Sequence, residues 1–124
     1  MNEVTINLEY LTEHDKSIAR TLVEKTKAAI EKKNIRLELE HFAAEHNDCV
    51  INWKNGSQQK HFIWCNHSNN ELCVDYVNSS HEDTVYFSSE KTALAAIQAL
   101  GATRIKKYLF GLDVEDAERG NKDD

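Results

Sequence analysis

Four side chains in the middle of the chain carry the donor set of a zinc site: Cys65, His67, Cys73 and His81. Thiolate and imidazole are the ligands that hold Zn²⁺ tetrahedrally. One residue separates Cys65 from His67, five follow before Cys73, and seven more before His81. Neither end has the tight Cys-x2-Cys or His-x3-His hook, so a buried thiol pair and two loop histidines are the favoured reading. A Cys65–Cys73 disulfide is the minor alternative. Nucleophilic chemistry would need a thiol beside an oriented base. Cys49 lies close in sequence to His46 and Asp48, but it alternates with Ile51 and Trp53 and reads as a small apolar residue facing a core. The carboxylates Glu71, Asp75, Glu82 and Asp83 read as solvated. The chain has neither a Gly-rich phosphate loop nor a His-Glu-x-x-His motif. No catalytic, cofactor-binding or metal-binding residue is assigned, and no cofactor is expected.

Composition narrows the class further. The 124 residues carry a formal charge of −6, with no proline, four glycines and three cysteines. An odd cysteine count without a framework spacing reads as reduced thiols in a cytoplasm-like compartment. The start, Met1-Asn2-Glu3-Val4, lacks a basic region followed by an apolar run, so no secretion signal is expected. No apolar run approaches a membrane span. The net charge opposes phosphate. The basic clusters Lys25-Lys27, Lys32-Lys33 and Arg104-Lys106-Lys107 are short, so direct nucleic-acid binding is not expected.

The pattern of elements that would position these groups is α+β. Val4, Ile6, Leu8 and Tyr10 alternate with polar residues as a strand does. Thr12 is suited to cap a helix over Glu13–Lys33, with Glu13 and Asp15 in its first turn. Ile18, Leu22, Ala29 and Ile30, with Ala19 and Val23 beside them, form its apolar stripe. Residues 35–46 read either as a strand, from the alternation of Ile35, Leu37 and Leu39, or as a continuation of the helix to His46. Short strands are predicted at Cys49–Lys54, His61–Cys65, around Leu72–Tyr76 and at Thr84–Phe87. Turns fall at Asn55-Gly56 and Ser68-Asn69-Asn70. Trp53 and Trp64 fall on the faces expected to point inward, and Tyr86 alternates away from Phe87 toward solvent. Ser88 or Ser89 caps a helix whose buried face is Ala93, Leu94, Ala96, Ile97 and Leu100. Gly101 ends that helix. Thr103 caps a last helix with Ile105, Tyr108, Leu109 and Leu112 inside. The expected architecture is a short antiparallel β-meander packed against a long N-terminal helix and two C-terminal helices. Residues 1–112 form a single α+β domain, and residues 113–124 an acidic C-terminal tail, frayed at its end.

Val85-Tyr86-Phe87-Ser88-Ser89-Glu90-Lys91-Thr92-Ala93, then Ile97-Gln98-Ala99-Leu100-Gly101 and Arg104-Ile105-Lys106-Lys107-Tyr108-Leu109-Phe110-Gly111, resemble a module in small proteins of bacteriophages and mobile elements of low-GC Gram-positive bacteria. There a strand ending in Tyr-Phe leads into a helix with an Ala-rich face. The resemblance covers about a third of the chain and carries no active-site residue. Some phage proteins of this size inhibit host defence systems, so the resemblance implies an inhibitor.

The expected function is therefore a non-enzymatic protein-binding module, an anti-CRISPR-like inhibitor that occludes a nucleic-acid-handling host protein in the cytoplasm. A negative domain can compete with nucleic acid for a basic groove. The expected partner-binding residues are Glu82, Asp83, Tyr86, Glu115, Asp116 and Glu118. One alternative is a self-associating structural or accessory protein, a homodimer through the N-terminal helix. The other is a small Cys/His-dependent hydrolase or metal-binding protein.

Overall fold

A computed structural model describes residues 12–79 and 83–118. The strand expected over residues 4–11, the expected partner-binding residue Glu82 and the candidate ligand His81 lie outside the described residues. By proximity along the backbone the chain divides into two units, residues 1–30 and 31–124.

Helix α1 spans Glu13–His46. Its start is set locally. The Asp15 N–H donates to Thr12 Oγ1 (3.1 Å), and the Thr12 N–H donates back to the Asp15 carboxylate (3.4 Å). This is a capping box with Asp in the place of Glu. The choice left open at residues 35–46 resolves as helix. Ile35, Leu39 and Ala43, four residues apart, are buried, while Leu37 between them is 51% exposed. A strand would have buried Leu37 together with Ile35 and Leu39. The Asn47 N–H closes the last turn on the Ala43 carbonyl (2.9 Å). The Asn47 side chain then reaches the segment before α2. Its Oδ1 accepts the Ser88 N–H (3.0 Å) and its Nδ2 donates to the Tyr86 carbonyl (3.3 Å).

The strand expected at Cys49–Lys54 is replaced by turns. Asn52 Oδ1 accepts the Lys54 N–H and Asn55 Oδ1 accepts the Ser57 N–H, each at 3.0 Å. Such side-chain acceptors compete with ladder pairing and win where asparagines sit close together. Two antiparallel strands follow, β1 (Lys60–Asn66) and β2 (Glu71–Val77), joined by a turn in which Asn70 has φ +58°. Ile63 pairs with Val74 and Cys65 with Leu72. These four carry the core side of the sheet, because directly opposed residues share a face. Phe62 and Trp64 therefore lie on the other face, and Trp64 is 37% exposed. The expected inward direction of Trp64 is reversed. Residues 84–87 add a single bridge on the second edge of β1, where His61 and Phe87 exchange both backbone bonds (2.9 and 2.7 Å). The sheet among the described residues thus has two strands.

Helix α2 (Glu90–Leu100) starts where Ser89 Oγ accepts the Thr92 N–H (3.1 Å), as expected of a serine cap. It stops at Gly101, whose φ of +97° a residue with a Cβ would adopt only under strain. Ala93 and Ala96 are fully buried and let α2 lie close to the sheet, whereas Leu94 is 50% exposed and leaves the expected face. Helix α3 (Ala102–Tyr108) begins directly from Gly101, so Thr103 lies inside the helix and is not its cap. Residues Val114–Glu118 form a short helix, α4, in which Ala117 is buried. The core gathers Ile35, Leu39 and Ala43 of α1 with Ile63, Val85, Phe87, Ala93, Ala96 and Ile105. The fold is α+β: a long N-terminal helix, a small antiparallel sheet and short C-terminal helices.

Candidate functional site

The residues with chemical potential are placed apart. Cys49 is exposed, not core-facing, and its Sγ accepts a long hydrogen bond from Gln58 Nε2 (3.5 Å). The loop over residues 49–59 never becomes a strand, so the alternation that pointed Cys49 inward has no pleat to act through. His46 turns back along α1 onto Phe42, with ring centroids 4.1 Å apart. Cys65 is buried, and burial pushes its thiol above the ordinary value, partly offset by the charge of Lys106. A thiol held protonated is a weak nucleophile and a weak ligand. Cys73 pairs with Trp64 and Cys65 with Leu72, so the two thiols belong to opposite faces of the hairpin. Among the described residues, no cluster of three or more His, Cys, Asp or Glu is arranged to hold a metal ion.

The expected binding residues separate in the same way. Tyr86 does point away from Phe87, but it is only 8% exposed. The loop folds over that face and brings the Trp53 ring edge-on to Tyr86 at 4.8 Å, with Phe62 at 6.1 Å on another side. Lys60 anchors the loop and is fully buried. Its Nζ donates to the carbonyls of Asn55 (2.8 Å), Gln58 (2.9 Å) and Asn78 (2.5 Å), and lies 5.2 Å from the Trp53 ring centroid. Sequence alternation alone gave no sign of this, since lysine at a strand start ordinarily points to water.

Asp83 is engaged by Arg36 of α1 at 2.6 Å, and Arg36 also reaches Glu40 at 3.3 Å. The hydrogen bond to Asp83, above the other contacts, raises the Arg36 guanidinium further above its ordinary value. A second cross-link joins Arg104 of α3 to Glu38 through both guanidinium Nη atoms. Those bonds hold the Glu38 carboxyl below its ordinary value. The stabilisation from this pair is present above the ordinary glutamate range and is lost as pH falls through the lowered value. Of the basic cluster near the C-terminus, Lys106 is fully buried and Arg104 is bound to Glu38. Glu115, Asp116 and Glu118 all lie on α4. A cavity of about 380 Å³ opens beneath the Arg36–Asp83 bridge, with Leu39, Trp64 and Phe110 in its walls.

A group of exposed apolar side chains lies on α1. Ile18, Leu22, Val23 and Ile30 are 47%, 59%, 50% and 54% exposed. The stripe was legible in the sequence; that it would stay uncovered was not, because an amphipathic pattern says which side is apolar and not what lies against it. No helix among the described residues is long and apolar enough to cross a membrane. The chain matches no protein-family model, no curated protein and no solved structure.

Proposed function

We propose that the chain is a non-enzymatic protein-binding module that acts by contact along α1. The observation that carries this reading is the apolar stripe Ile18, Leu22, Val23 and Ile30, four large side chains each about half exposed on one helix. Covering the exposed half of each would be worth about 0.7–1.5 kcal/mol, half the value for full burial. A helical segment of this size without packing is marginal in water, so a covering partner would stabilise the helix and its own complex together. The placement of the reactive groups supports the same reading: one thiol is buried, and the best aromatic candidate is covered by its own loop.

Charge favours one form of it. Outside residues 13–33 the chain carries nine Lys/Arg against seventeen Asp/Glu. An acidic body of this kind suits the occlusion of a basic, nucleic-acid-handling protein, the inhibitor role that the resemblance of residues 85–111 to phage proteins implies.

A photo-crosslinking residue at position 22, compared with one at Leu94 of α2, which is also half exposed, tests the reading in cells that express the chain. Protein adducts are expected at position 22 and not at 94, and Ile30→Glu should suppress them. Equal adduct formation at both positions, or none at 22, would remove α1 as the binding face.

A further inference from the structure

We infer that the partner of the α1 face is a second copy of this chain, docked antiparallel across a two-fold axis near Glu24. The inference rests on reading that face as a binding surface. Its warrant is the order of residues along one side of the helix. At 3.6 residues per turn, Asp15, Ile18, Ala19, Leu22, Thr26, Ala29, Ile30 and Lys33 fall within about 120° of arc.

Counted outward from Glu24, the residues of this face fall at matched distances on either side. Leu22 and Thr26 lie two residues away on either side, Ala19 and Ala29 five, Ile18 and Ile30 six, and Asp15 and Lys33 nine. A two-fold contact requires that if residue i meets residue j, then j meets i. Antiparallel pairing about Glu24 satisfies this and brings like residues together at two of the four steps, the alanines and the isoleucines. Isoleucine meets isoleucine, alanine meets alanine, and an acid meets a base at both ends. The paired alanines allow the helix axes to approach toward the short end of the usual 8–10 Å range.

The apparent misfit is Thr26 opposite Leu22. The Thr26 hydroxyl already donates to the Leu22 carbonyl of its own helix at 2.9 Å, so the side chain can present its methyl to the seam without an unpaired donor. Direction is set by charge. A parallel pair in register would oppose Asp15 to Asp15 and Lys33 to Lys33, whereas the antiparallel pair opposes unlike charges twice.

Sedimentation equilibrium of the full chain, combined with pairwise disulfide trapping, tests this. In a Cys49→Ser background, which removes the exposed native thiol, Asp15→Cys and Lys33→Cys are prepared separately and then mixed. The expected results are a dimer, a mixed 15–33 disulfide, and neither 15–15 nor 33–33 products. Leu22→Glu should weaken the dimer roughly a hundredfold, since it buries one unpaired carboxylate per copy. Leu94→Glu should leave it unchanged and controls for folding. A 15–15 disulfide, or a dimer indifferent to Leu22→Glu, would overturn the antiparallel seam. A chain that stays monomeric would overturn the self-pairing itself. If position 22 then still crosslinks to a different protein, the contact reading survives with another partner; if it crosslinks to nothing, both fail.

Discussion

Phe87→Ala is expected to remove about 3–5 kcal/mol of stability, the usual loss for truncating a buried phenylalanine. Phe87 is fully buried among Leu39, Ile63, Ala93 and Ile105, which come from four different elements or segments of the fold. Its backbone also makes the single bridge that fastens residues 84–87 to β1. Truncation therefore leaves a cavity at the point where α1, the hairpin and the C-terminal helices share one side chain. Domains of this size are stable by about 5–15 kcal/mol in all, so the variant should lie near its folding limit. Urea denaturation measures the change. Leu94→Ala, at an exposed position on α2, should shift stability by no more than about 0.5 kcal/mol. A Phe87→Ala midpoint close to that of the parent would mean that the core is not organised around this ring.

Lys60→Met is expected to cost about 2–4 kcal/mol, although methionine is the more apolar residue. The reason is the set of three carbonyls gathered on the ammonium. Asn55, Gln58 and Asn78 would each lose a charge-assisted donor in the part-buried interior of the loop, leaving the Gln58 N–H on the Asn55 carbonyl (3.2 Å) and the Asn78 side chain on the Gly56 carbonyl (2.8 Å). Methionine keeps the length of the aliphatic stem and removes the ammonium, so the loss reports on its hydrogen bonds together with its contact over the Trp53 ring. The loop over residues 49–59 should loosen and release Trp53 from Tyr86. In a Trp64→Phe background, the emission of Trp53 should then shift to the red in the folded state. Unchanged emission together with an unchanged urea midpoint would show that the three carbonyls are satisfied equally well by water.

What the amino-acid order disclosed about this fold depended on how local each signal was. The caps at Thr12 and Ser89 and the stop at Gly101 act within three or four residues, and each was read in place apart from the start of α3. The β1–β2 hairpin was legible from its alternation and from the Ser68-Asn69-Asn70 turn. Its inward face was not. His61, Ile63 and Cys65 compete with Phe62 and Trp64, and larger rings make the second set look like the core. The structure instead reserves that side for the loop carrying Trp53, a contact between residues 53 and 86 that no local pattern encodes. A register read one residue out turns every side chain to the wrong face. The same non-local covering hides Tyr86. Residues 35–46 were ambiguous for a different reason. Ile35, Leu37 and Leu39 fit a strand, while Ile35, Leu39 and Ala43 fit a helix, and only the core that receives the latter three decides between them. The α1 stripe was visible from the start, but a helical period does not say how much of an apolar side is exposed.

The most direct test of that stripe as a contact face is amide hydrogen exchange along α1, followed as the chain is diluted. Contact predicts that amides of residues 18–30 exchange far faster than those around Ile35, Leu39 and Ala43 in the dilute chain, because no tertiary burial holds them. It further predicts that they become protected as protein concentration rises or a crosslinked partner is retained. Protection of residues 18–30 equal to that of the buried half of α1, and independent of concentration and of any partner, would contradict it.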